Sequence, residues 1–244
     1  MSSTQLEHIS TYVDILLRWN ARINLTAIRD PEEIVTRHFG ESLFAARHLF
    51  PKIYAVSSVL KDFDSANDQR PATNDRVADL GSGAGFPGLP IKLWAPHIAL
   101  TLIESNHKKA TFLREVTRIL TLTNVDIQNA SAETLPPTIF DIVTIRAVER
   151  LSKTLPAAAA LLAPAGRLAL LVSSSQLKNI HATLPAFAWT PPIQVPKSHS
   201  RILLISQFDH SVKSLQRSCG NIPPVGFVRR LEVGSPKFRC QLGK

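Results

Sequence analysis

A glycine-rich segment behind a short apolar run constrains the fold of this chain more than any other feature. The run, which contains Val77, Ala78 and Leu80, predicts a buried strand. The segment that follows, Gly81–Gly88, holds four glycines in eight residues, and a helix is expected to begin near Leu89. Glycine permits positive φ and a close approach of the backbone to a ligand, and a helix start offers free N–H groups to ligand oxygens. The segment is therefore predicted to be a nucleotide-binding turn.

Two classes of nucleotide-binding turn fit this segment. The spacing Gly83-x-Gly85-x-x-Gly88 matches the dinucleotide fingerprint and would indicate a nicotinamide-dependent oxidoreductase. In that fingerprint the first glycine follows the strand directly, whereas this strand already ends at Gly81. Counted from the strand, the pattern is Asp79-x-Gly81-x-Gly83-x-Gly85, which is typical of class I S-adenosylmethionine methyltransferases. We favour the methyltransferase, because a carboxylate at Asp79 can face the cationic methionine end of that cofactor.

The next apolar run ends in an acidic residue that suits a nucleoside site. Ala99–Ile103 predicts a second strand, and Glu104 follows it, 23 positions after Gly81. An acidic residue about 20 positions past the glycine loop is placed to accept hydrogen bonds from ribose hydroxyls. Glu104 is therefore predicted to hold the ribose, and the alternative is a solvated carboxylate at a strand end.

Length, cysteine content and charge narrow the class of protein. A chain of 244 residues with 44% hydrophobic residues can bury one sizeable core. No apolar run is long enough for a membrane span and the first residues lack a signal-peptide pattern, so we expect a cytoplasmic protein. Cys219 and Cys240 form no metal-ligand or disulfide pattern, and no metal is predicted. The net charge of +9 suggests a polyanionic partner, although residues 209–244 carry +5 of it.

Changes of periodicity divide the chain into four predicted parts. Residues 1–56 are expected to form a small helical cap. Residues 57–76 are polar and turn-rich, which predicts a flexible linker. Over residues 77–208 short apolar runs alternate with helical patterns, which predicts an α/β methyltransferase domain with a mostly parallel sheet. Residues 209–244 lose the periodicity and predict a basic, largely disordered tail.

The predicted cap contains two helices. Residues 5–20 carry apolar side chains at helical spacing, and the polar segment from Trp19 onward is expected to break that helix. Asp30 is expected to cap the next helix, with a proline at its first position. Taken alone, Arg37 and Glu41 would form an i,i+4 pair on a polar helix face.

The α/β part predicts five parallel strands and a final antiparallel pair. The predicted strands cover residues 77–80, 99–103, 124–128, 140–145, 165–172, 188–195 and 201–208. Ligands bind such sheets at the carboxyl ends of the strands, near the point where strand order reverses. Gly81, Glu104, Glu133 and Arg146 all lie at or just beyond such ends.

These residues together resemble one family, the bacterial 16S ribosomal RNA guanine-N7 methyltransferases, also called glucose-inhibited division protein B. The resemblance extends over roughly residues 6–208 and is carried by Trp19-Asn20, Asn24-Leu25-Thr26, Arg29-Asp30, Arg37-His38, Ser42, Asp79–Gly88, Glu104-Ser105, Lys108-Lys109, Phe112-Leu113, Ala132-Glu133, Phe140-Asp141 and Arg146-Ala147. The Gly-Phe-Pro-Gly ending of the loop and the Asn-Leu-Thr element are not general methyltransferase features, so the match is specific. Family members often have aspartate where Glu41 stands.

The resemblance implies a class I S-adenosylmethionine methyltransferase: a Rossmann-like, seven-stranded, mostly parallel sheet with a small N-terminal helical cap. The resemblance implies contacts with S-adenosylmethionine at Gly81, Phe86, Ala132, Glu133 and Arg146, with Glu104 toward the ribose. The glycine-loop pattern adds Asp79 and Gly83 to these predicted contacts. The residues that the resemblance turns toward the site are Asn24, Thr26, Arg37, His38 and Ser42.

Methylation of guanine N7 does not require the protein to remove a proton. N7 has an in-plane lone pair and no proton to lose, so alignment rather than a general base is needed. The chain lacks the Asn/Asp-Pro-Pro-aromatic motif of amino-group methyltransferases, and its cysteines lie far from the predicted site. No catalytic residue is assigned; the candidates are Arg146, which would fix cofactor or base, and His38, Arg37 and Asn24. Lys108, Lys109 and Arg37 are candidates for phosphate contacts.

The sequence therefore predicts a monomeric methyltransferase acting on guanine N7 of 16S ribosomal RNA, free or within a small ribosomal subunit particle. The alternatives are methylation of another RNA position or of a small molecule, a nicotinamide-dependent oxidoreductase, and a non-catalytic RNA-binding assembly factor. The net basicity disfavours a small substrate, Pro87 and Pro90 crowd the helix start that a pyrophosphate would need, and the intact loop with Glu104 disfavours loss of the cofactor.

Overall fold

The structure, a computed structural model, describes residues 1–51, 75–137, 140–147 and 151–207. The tail predicted over residues 209–244 lies outside these ranges, as does the linker predicted over residues 57–76 apart from its last two positions. None of the helices within the described ranges combines the length and the apolar character that crossing a bilayer requires.

The first helix, α1 (Ser3–Ile23), is longer than predicted. A capping box between Ser2 and Gln5 begins it, and Asn24 ends it in the left-handed conformation, with φ of 48°. The expected break near Trp19 is therefore wrong. Asn20 stays helical because its side chain bonds the loop beyond the helix rather than its own backbone, accepting from the Thr26 N–H and donating to the Thr26 carbonyl, both at 2.9 Å.

The second helical stretch changes its type along its length. Its first turn, α2 (Pro31–Glu33), is capped as predicted by Asp30, which accepts a hydrogen bond from the Glu33 N–H at 2.8 Å. A π-helical segment, Ile34–Phe39, follows, and α3 (Gly40–Leu49) completes the stretch. π-helical turns are rare and occur frequently at functional sites.

The sheet has the predicted mixed α/β topology. Its parallel strands are β1 (Arg76–Leu80), β2 (Ala99–Ile103), β3 (Val125–Gln128), β4 (Phe140–Arg146) and β5 (Leu162–Ser173). The antiparallel strands are β6 (Ala188–Trp189), β7 (Ile193–Gln194) and β8 (Arg201–Gln207). The helices between them are α4 (Gly88–Trp94), α5 (His107–Ile119), α6 (Leu151–Ala160) and α7 (Leu177–Thr183).

The edge of the sheet departs from the prediction in one detail. The single strand expected over residues 188–195 is two short strands, β6 and β7, which both pair with β8. Pro191 and Pro192 lie between them and have no N–H to donate to a ladder. Because β6 and β7 share one place beside β8, the strand order β3-β2-β1-β4-β5-β8-β6 has the seven positions that the family resemblance implies.

Both faces of the sheet are buried by helices. One core cluster packs the sheet against α1, α3, α4 and α5, and its largest fully buried side chains include Tyr12, Phe39 and Phe112. The second cluster packs the other face against α6 and α7 through Leu155 and Ile180. The N-terminal helices thus share a core with the sheet rather than forming a separate one.

The order in which strands are added to the sheet reverses beside β1. From β1 the chain moves outward through β2 and β3, and then returns to β4 on the other side of β1. In open α/β sheets ligands bind in the crevice outside the carboxyl ends of the strands at such a switch point. Gly81 follows β1 and Arg146 ends β4, so both residues lie at this position.

Candidate functional site

The glycine loop runs from the end of β1 to the start of α4, and two of its glycines share a positive φ but have different surroundings. Gly83 has φ of +56°, and a Cβ there would meet only the Gly81 carbonyl oxygen, at 3.8 Å, so the space beside it is open. Gly85 has φ of +85°, and a Cβ there would collide with the Tyr12 hydroxyl and with Leu89 Cδ1, at 2.6 Å. The first position borders a cavity and the second is packed against α1.

Asp79 stabilises the glycine loop through hydrogen bonds from within the protein core. Its side chain is fully buried, and its carboxylate accepts hydrogen bonds from the Gly88 N–H at 3.2 Å and the Thr144 hydroxyl at 2.9 Å. Burial raises the pKa of Asp79 to about 6, against the opposing effect of these hydrogen bonds. The carboxylate therefore ties the loop and the start of α4 to β4, and its predicted contact with the cofactor stays a prediction.

Glu104 lies where the prediction puts it, at the end of β2 beside the loop. Its carboxylate accepts from the Gly83 N–H and from the Asn106 N–H, each at 2.8 Å, and the side chain is buried. The neighbouring strand ends are joined by a hydrogen bond from the Gly81 N–H to the Ile103 carbonyl oxygen at 2.9 Å. A carboxylate offers about four acceptor positions, so roughly two remain for the hydroxyls of a ribose.

A buried ion pair connects β4 to the N-terminal helices. Arg146 donates from Nε and Nη2 to Glu41 Oε2, at 3.0 and 2.8 Å, and the two side chains are only 8% and 7% exposed. The predicted pair between Arg37 and Glu41 is therefore wrong. Arg37 instead bonds Glu33 at the surface, with Nη1 and Oε1 2.7 Å apart, because the buried partner of Glu41 comes from the sheet.

His38 lies between Arg146 and the loop that follows α1. Its Nδ1 is 2.9 Å from Arg146 Nη2, and its Nε2 is 2.7 Å from Thr26 Oγ1. The imidazole stacks on Phe86 with ring centroids 4.8 Å apart. Burial, with Arg146 and Arg37 nearby, lowers the pKa of His38 to about 3. The ring is therefore neutral at physiological pH and a poor proton acceptor.

Phe86 joins this group to the core. It stacks on Tyr12 with centroids 5.4 Å apart and rings parallel within 2°. The Tyr12 hydroxyl donates to the Ala84 carbonyl oxygen inside the glycine loop. The Arg146 guanidinium carbon lies 6.0 Å from the centroid of the Phe86 ring. Phe86 therefore contacts side chains from both α1 and the end of β4, and fixes the position of the glycine loop between them.

A cavity of about 230 Å³ opens at this switch point. The predicted site residues that line it are Thr26, His38, Gly81, Gly83, Phe86, Lys109 and Arg146. The cavity is thus enclosed by the loop after α1, the π-helical segment, the glycine loop, α5 and β4. The structure therefore brings together residues from widely separated parts of the chain.

Other predicted residues lie outside the lining of this cavity. Asn24 is exposed and accepts a hydrogen bond from Arg29, and Arg37 is exposed in its surface pair. Ala132–Thr134 forms a 3-10 turn beyond β3, in which Ala132 packs on the second core cluster and Glu133 is exposed. Hydrogen bonds from the backbone and from Ser131 lower the pKa of Glu133.

Sequence reasoning missed three residues that shape the site. From the sequence alone Glu41 is expected on a polar helix face and Asn20 in a helix break, and Tyr12 is one of the apolar side chains of residues 5–20, whereas all three are buried with hydrogen-bonded side chains. The only sequence signal for them is a polar atom on an otherwise apolar helix face, which does not reveal the distant partner.

The residues that line the cavity, together with Glu104, which lies outside the lining but bonds Gly83, fit the chemistry of S-adenosylmethionine. The open space at Gly83 lets backbone approach a ligand, the remaining acceptor positions of Glu104 suit ribose hydroxyls, and Phe86 offers an apolar wall. These features lie at the switch point where a nucleoside-containing ligand is expected.

Comparison with families of known proteins points to the same chemistry. The family model described as GidB, rRNA small subunit methyltransferase G, matches residues 5–59 and 55–200. A protein of Xylella fastidiosa (strain 9a5c) named ribosomal RNA small subunit methyltransferase G is 38% identical over 191 residues, which cover 76% of this chain and 78% of the relative. A protein of Xanthomonas campestris pv. campestris (strain B100) with the same name is 38% identical over 190 residues, with the same coverage.

Solved structures share the fold at low identity. A ribosomal protein L11 methylase from Lactobacillus delbrueckii subsp. bulgaricus superimposes with a TM-score of 0.52 at 16% identity, covering 69% of this chain and 77% of the other. A predicted O-methyltransferase from Agrobacterium tumefaciens gives a TM-score of 0.50 at 21% identity, covering 59% and 76%. At these identities the likeness concerns the fold alone, and it confirms the predicted class I methyltransferase fold.

Proposed function

The chain belongs to the rRNA small subunit methyltransferase G family, and from this premise we propose that it transfers the methyl group of S-adenosylmethionine to N7 of one guanosine in 16S ribosomal RNA. A methyltransferase of this family is an enzyme that uses S-adenosylmethionine, so the nicotinamide-dependent alternative that the glycine spacing allowed is excluded.

One observation supports N7 above other acceptors: among the described residues that line the cavity, none is suited to act as a general base. The ionisable side chains that line it, within the described ranges, are His38, Lys109 and Arg146. His38 has both ring nitrogens within hydrogen-bonding distance of a neighbour and a pKa lowered to about 3, and the other two side chains are cations. Hydroxyl and amino acceptors must lose a proton on methylation, whereas N7 does not. The site therefore suits a nucleophile that needs only alignment.

The cofactor would be held by groups on the β1 and β2 side of the cavity. When bound, S-adenosylmethionine supplies an electrophilic methyl group on its sulfonium. Gly81 and Gly83 would present backbone to it, Glu104 would accept from its ribose hydroxyls, and Phe86 would pack beside it. Direct contacts by Ala132 and Glu133 belong to the same proposal and are supported by the family resemblance, and a direct contact by Asp79 is supported by its place before the glycine loop.

The pairing of Arg146 also suits N7. Methylation at N7 leaves a positive charge on the base, which an unpaired guanidinium in contact with the base would oppose. Arg146 is paired with Glu41 in a buried contact, so the two side chains together carry no net charge. Arg146 can therefore fix the position of the base or the cofactor without a large electrostatic penalty as charge develops.

The RNA partner is supported by surface charge. The chain carries +9, Lys108 and Lys109 lie in the first turn of α5, and Lys109 reaches the cavity lining. Together with Arg37, whose side chain is 52% exposed, these cations can contact phosphates around the target nucleotide. Binding to 16S RNA or to the small ribosomal subunit particle should therefore weaken as salt rises.

Identification of the methylated nucleoside tests the proposal. The purified protein is incubated with methyl-labelled S-adenosylmethionine and with small subunits, or deproteinised 16S RNA, from a strain that lacks this enzyme. The RNA is then digested and its labelled nucleosides are separated. Label in 7-methylguanosine at one position supports the proposal, and label in another nucleoside contradicts the N7 assignment. An Arg146→Ala variant should give no label, while Glu33→Gln, which alters only the surface pair, should label normally.

A further inference from the structure

The hydrogen bonds around His38 determine its tautomer. Arg146 Nη2 lies 2.9 Å from His38 Nδ1, and a guanidinium has donors only. Nδ1 must therefore accept, and the single proton of the neutral ring lies on Nε2. The lowered pKa of His38 agrees with a ring that carries one proton.

That proton fixes the role of the Thr26 hydroxyl. His38 Nε2–H donates to Thr26 Oγ1 at 2.7 Å, and the Ile28 N–H donates to the same oxygen at 3.1 Å. A hydroxyl oxygen has two lone pairs and one proton. Both lone pairs are occupied, so the hydroxyl can act only as a donor toward any further partner.

The Thr26 hydroxyl is held in place and borders the cavity. Asn20 bonds both the N–H and the carbonyl of Thr26, each at 2.9 Å, which fixes the backbone from which the side chain extends. Thr26 lines the cavity, and no acceptor for its hydroxyl proton is found among the residues that the structure describes. A fixed donor at a ligand cavity selects for an acceptor on the ligand.

We propose that the Thr26 hydroxyl donates a hydrogen bond to O6 of the target guanine and thereby selects guanine over adenine. This inference rests on the proposed function. Guanine presents N7 and O6 on one edge, both acceptors, whereas adenine presents N7 beside an N6 amino donor. A donor at Thr26 pairs with O6 and leaves N7 free to attack. With adenine, the Thr26 hydroxyl would face the N6 amino group, which is also a donor, and no hydrogen bond would form.

The position of Thr26 favours the base over the cofactor as its partner. Thr26 reaches the sheet through His38 and Arg146, and so lies on the β4 side of the switch point. The predicted ribose ligand Glu104 lies at the end of β2, on the other side of β1. The chain of donors that orients Thr26 therefore lies on the opposite side of β1 from Glu104, and it shares only Arg146 with the residues assigned to the cofactor.

The test compares guanine with 2-aminopurine, which keeps N7 but lacks O6. Each base is placed at the mapped target position of a 16S RNA fragment or reconstituted particle, and kcat/KM is measured for the wild type, Thr26→Val and Thr26→Ser. Loss of one hydrogen bond lowers kcat/KM about three- to tenfold. We expect the ratio of guanine to 2-aminopurine to fall by that factor in Thr26→Val and to be retained in Thr26→Ser, which keeps the hydroxyl. Intrinsic differences between the two bases cancel in this comparison.

Structural damage would give a different result. If Thr26 only supports the loop, Thr26→Val lowers the rates on both bases equally and leaves the ratio unchanged, which overturns the inference. A ratio that is unchanged while the affinity for S-adenosylmethionine falls overturns it as well, and assigns the hydroxyl to the cofactor. Should Thr26→Val fail to fold, Thr26→Ala takes its place in the same comparison: a ratio of guanine to 2-aminopurine equal to that of the wild type overturns the inference, and a lower ratio supports it. A wild type that never labels guanosine N7 contradicts the proposed function itself.

Discussion

Replacing Glu41 by glutamine tests the buried ion pair that joins the N-terminal helices to β4. Glutamine keeps the size of the side chain but removes the negative charge that faces Arg146, whose side chain is 8% exposed. Burial already lowers the pKa of Arg146, and Glu41 opposes that effect. Removing one partner of a buried pair costs about 3–5 kcal/mol, because the other charge is left uncompensated. A loss of this size is a large part of the stability of a typical domain.

A matched control comes from the surface pair on the same helical stretch. Glu33→Gln breaks the contact with Arg37, in which the side chains are 52% and 46% exposed, and should change stability by less than about 1 kcal/mol. Urea unfolding of the full chain near neutral pH, followed by tryptophan fluorescence, gives both free energies. Equal losses in Glu41→Gln and Glu33→Gln would refute the argument that burial makes the pair with Arg146 important.

A double replacement separates stability from activity. When both members of a buried pair are replaced by apolar side chains of similar size, stability is often kept or raised. Glu41→Met with Arg146→Met should therefore recover most of the stability that Glu41→Gln loses. It should remain inactive in methyl transfer, because Arg146 lines the cavity. An active double variant would remove Arg146 from the site.

Three further predictions concern the loop and the cofactor. Gly85→Ala should destabilise the fold by more than about 2 kcal/mol in urea unfolding, because of its positive φ and the collision with Tyr12. Gly40→Ala, where a Cβ meets only one backbone oxygen at 3.7 Å within a helix, should instead be neutral or stabilising. Burial raises the pKa of Asp79 from 3.8 to about 6, so the folded state binds this proton more tightly than the unfolded state. The contribution is present below about pH 4 and is lost as pH rises through about 6, by about 3 kcal/mol. The difference in unfolding free energy between wild type and Asp79→Asn should follow that curve, and a pH-independent difference would contradict it. Glu104→Gln should weaken binding of S-adenosylmethionine about tenfold or more by calorimetry, and unchanged affinity would remove Glu104 from the ribose site.

The sequence predicts those parts of the site that depend on local signals. The glycine loop follows a recognisable strand, and Glu104 ends the next one, so their order along the chain and the parallel topology bring them together. The caps of the helices follow equally local rules, as Asp30 illustrates. For these features, the residues that determine the local structure lie close to one another along the chain.

The remaining features depend on contacts between distant residues. Arg146 and Glu41 are 105 positions apart, and nothing in either neighbourhood specifies the other partner. The π-helical segment Ile34–Phe39 has no sequence signal that distinguishes it from an ordinary helix, yet within and just beyond it His38 and Glu41 are buried toward Arg146. Packing of the N-terminal helices on the sheet, rather than their own propensities, therefore decides which polar residues enter the site.

The most direct test of the central claim replaces the proposed nucleophile itself. The mapped guanosine of 16S RNA is exchanged for 7-deazaguanosine, in which a C–H group stands where N7 was, and methyl transfer from labelled S-adenosylmethionine is followed in a single turnover. Binding of the modified RNA is measured in parallel. We expect that the RNA still binds, because O6 and the phosphates are unchanged, and that no methyl group is transferred to that nucleotide. Methylation of the 7-deazaguanosine at the normal rate would show that the methyl group goes to an atom other than N7 and would overturn the proposed function.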